Sequence, residues 1–360
     1  MPKPTILVTG ATGKTGGATV AVLLQRGYPV RALAQREDQR AERLRAAGTD
    51  VRIGSLEDPI AVREAMRDVQ RAYFCPPLEP GALRRAALFA DAARDARLET
   101  VAFLSQWLVD ATHLSIHARE KYLAGKIFEW TKDVGVITIN PGWFADNYMA
   151  ALEPISQFGL MALPLGDGLN APPSNEDIAR VIAGALIDPA PCLGKAFRPT
   201  GPKLLSPDEI AAVFAKVLGR KVRYQNAPMN LFLKFGRSIG LSDFILTQLY
   251  FFVLDYQRGS FALGAPTDVV GEIGGREPED FETIVRRYLA RSSFSKRGVA
   301  LLARAAWNMA KAIATPVPDL KALAVTLNIP SIPHASLAAD SVSWRNSHAA
   351  ALVRVEQAKP

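Results

Sequence analysis

The chain has 360 residues, is 49% hydrophobic and 22% charged, and carries a net charge of +8. These values describe a globular protein with a sizeable core and exclude general disorder. From Ser292 to the end there are eight Lys/Arg against three acids, so most of the basicity belongs to the last fifth of the chain and does not point to nucleic acid.

The N-terminus has no signal-peptide pattern, and the longest apolar stretch, near Phe244–Leu254, is broken by Thr247 and Gln248. Cys75 and Cys192 lie far apart and form no disulfide framework. A cytoplasmic protein follows as the expectation.

In chain order, β-branched runs occur at Thr5–Thr9, Pro29–Leu33, Val51–Ile53, Arg71–Phe74, Val101–Leu104 and Val136–Asn140. Between them lie segments of helical spacing: Ala18–Arg26, Arg40–Ala47, Pro59–Arg67, Gly81–Arg94 and Lys121–Thr131. This alternation predicts an α/β fold with a doubly wound parallel Rossmann sheet over residues 1–150. A smaller mixed substrate-binding portion is expected over 151–291, with helices at Ser174–Ile187, Ser206–Leu218, Asn230–Phe252 and Pro278–Arg291. Residues 292–360 form an extension with one helix, Gly298–Ala314, whose charges Arg297, Arg304 and Lys311 recur every seven residues. Two readings of that helix stand: packed on the body or a dimer partner, or lying as a basic amphipathic helix on a membrane surface. Little regular structure is expected after Thr315.

The sharpest motif is Val8-Thr9-Gly10-Ala11-Thr12-Gly13-Lys14-Thr15-Gly16-Gly17, a GxxGxxG run that follows the first strand and opens a helix. Gly10 suits the tight turn, Gly13 the close approach of a pyrophosphate, and Gly16 the packing of helix on strand. Thr12, Lys14 and Thr15 complete the predicted phosphate site. The second strand ends Ala34-Gln35-Arg36, without the acid that would hold ribose hydroxyls, so Arg36 favours NADP(H) over NAD.

Tyr122 and Lys126 are four residues apart, hence on one helical face. An ammonium beside a phenol lowers the phenol's pKa and lets it exchange a proton near neutrality. Tyr122 is thus the candidate proton donor, and Lys126 its partner and a ribose contact. Ser105, at the end of the fifth strand, is placed where ligands bind in open α/β sheets. His113 and His117 read as loop residues, with His117 a candidate substrate contact. Trp107, Trp143, Phe144 and Asn147 are candidate substrate contacts, and Leu249–Phe252 a candidate lid, with burial in the core as the competing reading for the rings. No His/Cys/carboxylate cluster has metal-ligand spacing.

Val8–Gly17, Val30–Leu33, Gly54–Pro59, Phe103–Ser105, Asn140–Asn147, Glu176–Ala179, Thr200–Pro202 and Leu218–Arg220 together resemble the NmrA-like family of atypical short-chain dehydrogenases/reductases, over about residues 4–290. The resemblance implies an NADP-type Rossmann domain with a small substrate domain, in either a reductase or a dinucleotide-sensing regulator. Ser55 stands where the family often has Asp, and Gln35 where it often has Arg. The expected function is an NADPH-dependent reductase of an apolar or aromatic carbonyl-type substrate: a quinone, ketone, enone or imine. The alternatives are an NADP(H)-sensing binding protein and an isomerase or epimerase that keeps its dinucleotide.

Overall fold

A computed structural model describes residues 2–292, 296, 298–330 and 332–357. Arg297 and Lys359, part of the basic count, lie outside the described residues.

The first unit alternates strand and helix as expected: β1 Ile6–Thr9, α1 Lys14–Gln25, β2 Val30–Ala34, α2 Gln39–Ala46, β3 Asp50–Ile53, α3 Pro59–Met66, β4 Arg71–Phe74, α4 Ala82–Asp95, β5 Thr100–Leu104, α5 Ile116–Trp130 and β6 Gly135–Ile139. There follow α6 Ala145–Met149, α7 Leu152–Phe158, β7 Leu160–Leu163, α8 Asn175–Ile187, β8 Ala196–Phe197, α9 Pro207–Leu218 and β9 Arg223–Asn226. The remainder is helical: α10 Met229–Ser238, α11 Asp243–Gln257, α12 Val269–Gly274, α13 Phe281–Arg291, α14 Val299–Ala314, α15 Leu320–Thr326 and α16 Val342–Gln357.

The seven-stranded sheet has the order β3-β2-β1-β4-β5-β6-β8, and every pair is parallel. A parallel sheet must be covered on both faces, which is why β1 is buried along its whole length. On one face Val20 and Leu23 of α1 meet Ile178, Val181, Ile182 and Leu186 of α8. On the other, Val62, Met66, Phe89 and Phe128 of α3, α4 and α5 pack together, with Phe74 and Phe103 from the strands. Strand order reverses between β1 and β4, so a crevice opens outside their carboxyl ends, the usual ligand position in such sheets.

A two-stranded parallel sheet, β7-β9, and helices α9, α10, α11 and α13 surround a third core built on Tyr148, Phe214, Tyr256 and Phe281. Two expectations need correction, and one strand was not foreseen. The segment Asn230–Phe252 is two helices, because the chain turns at Gly240 with φ of 91°. The last strand of the large sheet, Ala196–Phe197, has only two residues and no hydrophobic run to announce it. The chain after Thr315 is not irregular: it carries α15 and α16 and is fixed to the body by Trp344, whose indole donates to Trp107 O at 3.0 Å.

Candidate functional site

The glycine turn lies at the crevice. Thr9 Oγ1 donates to Tyr73 O and accepts from Cys75 N–H, tying β1 to β4 beyond their ladder. Gly10 then turns with φ of 64°, and a Cβ there would lie 3.2–3.3 Å from Cys75. A Cβ on Gly16 would fall 2.1 Å from Gly10 O, so the turn and α1 approach as only glycine permits. α1 starts at Lys14 with no side-chain cap and no acid in its first turn. Its leading N–H groups are thus left for an anion, and the cradle fits a dinucleotide diphosphate. Lys14 reaches Asp146 at 2.6 Å, and Asp146 also accepts from the Tyr288 hydroxyl. Thr15 differs from expectation: its hydroxyl is buried and turned to Asn175 of α8, leaving only its N–H for phosphate.

Arg36 follows β2, with Glu37 and Asp38 directly after it. Both acids are engaged elsewhere. Arg45 pairs with Glu37 and lowers its pKa, and Asp38 caps α2 while Arg40 holds its carboxyl at about 2. Arg36 makes no ion pair among the described residues. Arg40 and Arg43 line a hollow with Ala11, Thr12 and Gly13, adding cations beside the turn that the sequence reading missed.

The decisive geometry is the rotation of α5. Ser115 Oγ accepts from Ala118 N–H, so the helix begins at Ile116, five residues before the expected start, and His117 lies on the helix rather than in a loop. The side turned to the sheet carries His117, Lys121, Ala124 and Phe128, all buried. Lys121 Nζ donates to Leu104 O at the carboxyl end of β5 and sits 5.0 Å over the Phe103 ring. Burial lowers its pKa to about 8, against the attraction of Cys75 and Glu120. Burial, with the nearby Lys121 charge, also drives the His117 pKa well down and keeps its ring neutral; burial raises that of Glu120.

Tyr122 and Lys126 do come together, with the amine 5.6 Å from the ring centroid. They are half-buried and lie beside, not on, the side of the helix that carries Lys121. They lie about 100° and 140° round the axis from Lys121, and Lys126 Nζ is paired with Glu129 at 2.7 Å. Ser105 is at the strand edge as expected, buried, with its N–H on Ile139 O.

An apolar cavity of about 470 Å³ adjoins the turn. Trp143, Phe144 and Asn147 line it, with Phe235 of α10, Leu249 of α11 and Met309 of α14. Trp107 does not: it is buried in the core, its indole N–H on Ser260 O at 2.8 Å. Leu249–Phe252 is not a lid but one turn of α11, with Leu249 alone of the four on the cavity. Buried Gln106 Nε2, His117 Nδ1, Asn140 Oδ1 and Trp143 Nε1 lack protein partners, and all belong to segments that leave β5 or β6. Such atoms normally meet a ligand or water. Another hollow of about 480 Å³ lies between α1 and α13. Its Arg287 is already paired with Glu176 and Glu279, and Lys121 and Ser105 are in the wall of neither hollow. Among the described residues no group of three or more His, Cys, Asp or Glu could hold a metal ion.

Known proteins give the same frame. The model of the NmrA-like family matches residues 2–259. The NAD(P)H azoreductase of Xenophilus azovorans is 27% identical over 291 residues, covering 79% of this chain and 98% of the relative. Quinone oxidoreductase 2 of Escherichia coli is 28% identical over 244 residues, covering 66% and 83%. The solved NADPH complex of an Escherichia coli NADPH-dependent quinone oxidoreductase superposes with a TM-score of 0.69 at 24% identity, covering 79% of this chain and 99% of that one.

Proposed function

The chain belongs to the NmrA-like family, and from that premise we propose that it is an NADPH-dependent reductase of a flat, apolar acceptor of the quinone or azo class. One observation carries the reading: Lys14 borders the hollow of the glycine turn and both larger hollows, and of those two only the apolar cavity is walled by Trp143 and Phe144 from the segment that leaves β6. The relatives named for azo and quinone reduction support it.

In this reading the N–H groups of the Gly10–Gly16 turn hold the diphosphate, with Arg36, Arg40 and Arg43 facing the 2′-phosphate. The dinucleotide, when bound, supplies the reducing equivalents. Lys121, rather than Tyr122 with Lys126, holds the exchangeable proton at Nζ, since burial brings its pKa near working pH. Ser105 adds a hydroxyl beside the Leu104 carbonyl that Lys121 uses. The aromatic wall of Trp143 and Phe144 excludes water and sandwiches a flat ring.

The test is NADPH oxidation across quinones and azo dyes, with NADH in parallel, for wild type, Lys121→Met and Tyr122→Phe. Lys121→Met should lower kcat by about 100-fold or more while NADPH still binds, and Tyr122→Phe should stay within about twofold. Because the protonated amine is the active form, wild-type kcat/KM should fall above pH of about 8. A loss confined to Tyr122→Phe would return the role to the Tyr122/Lys126 pair. Turnover without net NADPH consumption would mark an isomerase instead.

A further inference from the structure

Helix α14 lies beyond the family match, and its two sides have opposite settings. Its inner side is used. Ala305 and Ala312 are buried, Asn308 and Arg304 bind Glu153 of α7, and Lys234 of α10 caps the helix end through Ile313 O at 2.8 Å. Met309 on this side is part of the wall of the apolar cavity.

Its outer side is apolar and uncovered. Val299 is 87% exposed, Leu302 46%, Trp307 71% and Ile313 57%, with Ala303, Ala306, Ala310 and Ala314 exposed between them. Val317 just beyond the helix, and Ile239 at the end of the α10 on which α14 packs, are exposed as well. The flanks of this face are basic. No Asp or Glu occurs from Ser292 to Pro318; Lys296 and Lys311 of that stretch and Lys234 of α10 make no ion pair among the described residues, while Arg304 is paired with Glu153 and Arg237 with Asp243. An exposed tryptophan, small residues and leucine-type side chains between cations are the composition of a helix lying in a membrane interface. A symmetric contact with a second copy would instead bring this basic surface against its own copy. No helix among the described residues is long and apolar enough to cross a membrane, so the contact would be at the surface.

We propose that the outer face of α14 docks on an anionic lipid bilayer, and that the cavity on its inner side takes a lipophilic acceptor dissolved in that bilayer. The second clause rests on the reductase reading; the first does not. A helix that lies on lipid with one side and closes the substrate cavity with the other gives a long-tailed quinone a short path from bilayer to cavity.

The experiment uses the full chain and Leu302→Glu/Trp307→Glu. Co-sedimentation is measured with vesicles of phosphatidylcholine alone and with 30% phosphatidylglycerol added (roughly the anionic content of a charged leaflet). Wild type should bind the anionic vesicles at least about tenfold better than neutral ones, and the double variant should lose that binding with its thermal midpoint retained. Reduction of a vesicle-borne long-chain quinone should fall about tenfold in the variant, and reduction of a short water-soluble quinone should not change. Failure of wild type to bind anionic vesicles overturns the docking surface. So does a dimer in solution that the double variant splits, since a second copy would then cover the face. Vesicle binding without reduction of any quinone supports the surface and sinks the reductase reading. Reduction of the soluble quinone without vesicle binding does the reverse.

Discussion

Inside the fold the Lys121 amine titrates near pH 8, against 10.5 in a free side chain, because burial disfavours its charge. A depressed lysine pKa means that the unfolded chain binds more protons between those two values, so stability rises with pH across that window. The span corresponds to about 3 kcal/mol. Urea unfolding of wild type should therefore strengthen from pH 8 toward pH 10 relative to Lys121→Met, and the variant should be the more stable protein at pH 7. Equal pH slopes for the two would show that Lys121 is solvated. This residue was hidden in the sequence for a geometric reason. Spacing alone places both His117/Lys121 and Tyr122/Lys126 one turn apart, and only the Ser115 cap and the burial of Phe128 decide which pair faces the sheet. Gly10, Gly13 and Gly16 were legible because their conformational demand is written in the residue type itself.

Among the elements, α8 shows how closely the layers are fitted. A Cβ on Gly184 would stand 1.9 Å from Ile273 O of α12, a backbone atom that cannot rotate aside. Gly274 on α12 reciprocates, lying against the Cβ of Arg180. Gly184→Ala should thus destabilise the protein by about 3 kcal/mol, read as a lower urea midpoint, with the kcat of the folded fraction unchanged because the crossing is not part of the site. An unchanged midpoint would mean that α12 can slide on α8. Elements of this first unit were readable because β1, β4 and β5 are apolar runs between amphipathic helices. β8 was not, since its two residues are recruited by pairing with Thr138 and Ile139 rather than by their own pattern. The break between α10 and α11 depended on Gly240 adopting a left-handed turn, which a lone glycine in a helical pattern does not announce.

At the scale of the whole molecule, the chain's last described segment clasps the loop between β5 and α5. Ser336 pairs with Thr112 and Leu114, Ser341 Oγ donates to Asp110 at 2.9 Å, and Trp344 donates to Trp107 O. His113 Nδ1 accepts from Ser115 N–H, so the ring's proton is on Nε2 and is donated to Asp255. Asp255 also accepts from Ser260 Oγ and from the N–H groups of Ala338 and Ala339, which joins α11, the loop and the C-terminal segment at one buried carboxylate. The Trp344 ring stacks on His348 at 3.9 Å, and burial takes the pKa of that histidine to about 3, leaving it neutral. The Pro-rich sequence around this segment concealed it, because its order comes from long-range partners and not from local periodicity. Trp344→Ala removes a buried ring and one hydrogen bond, so it should cost about 3–5 kcal/mol and loosen the backbone around the already exposed Arg345 enough for trypsin to cut there before the body unfolds. The clasped loop leads directly into α5, so under the proposed function the same variant should also lower kcat on a soluble quinone while NADPH affinity, assigned there to the glycine turn, is kept. A Trp344→Ala protein with the thermal midpoint and trypsin resistance of wild type would show that the segment folds independently of the loop it touches.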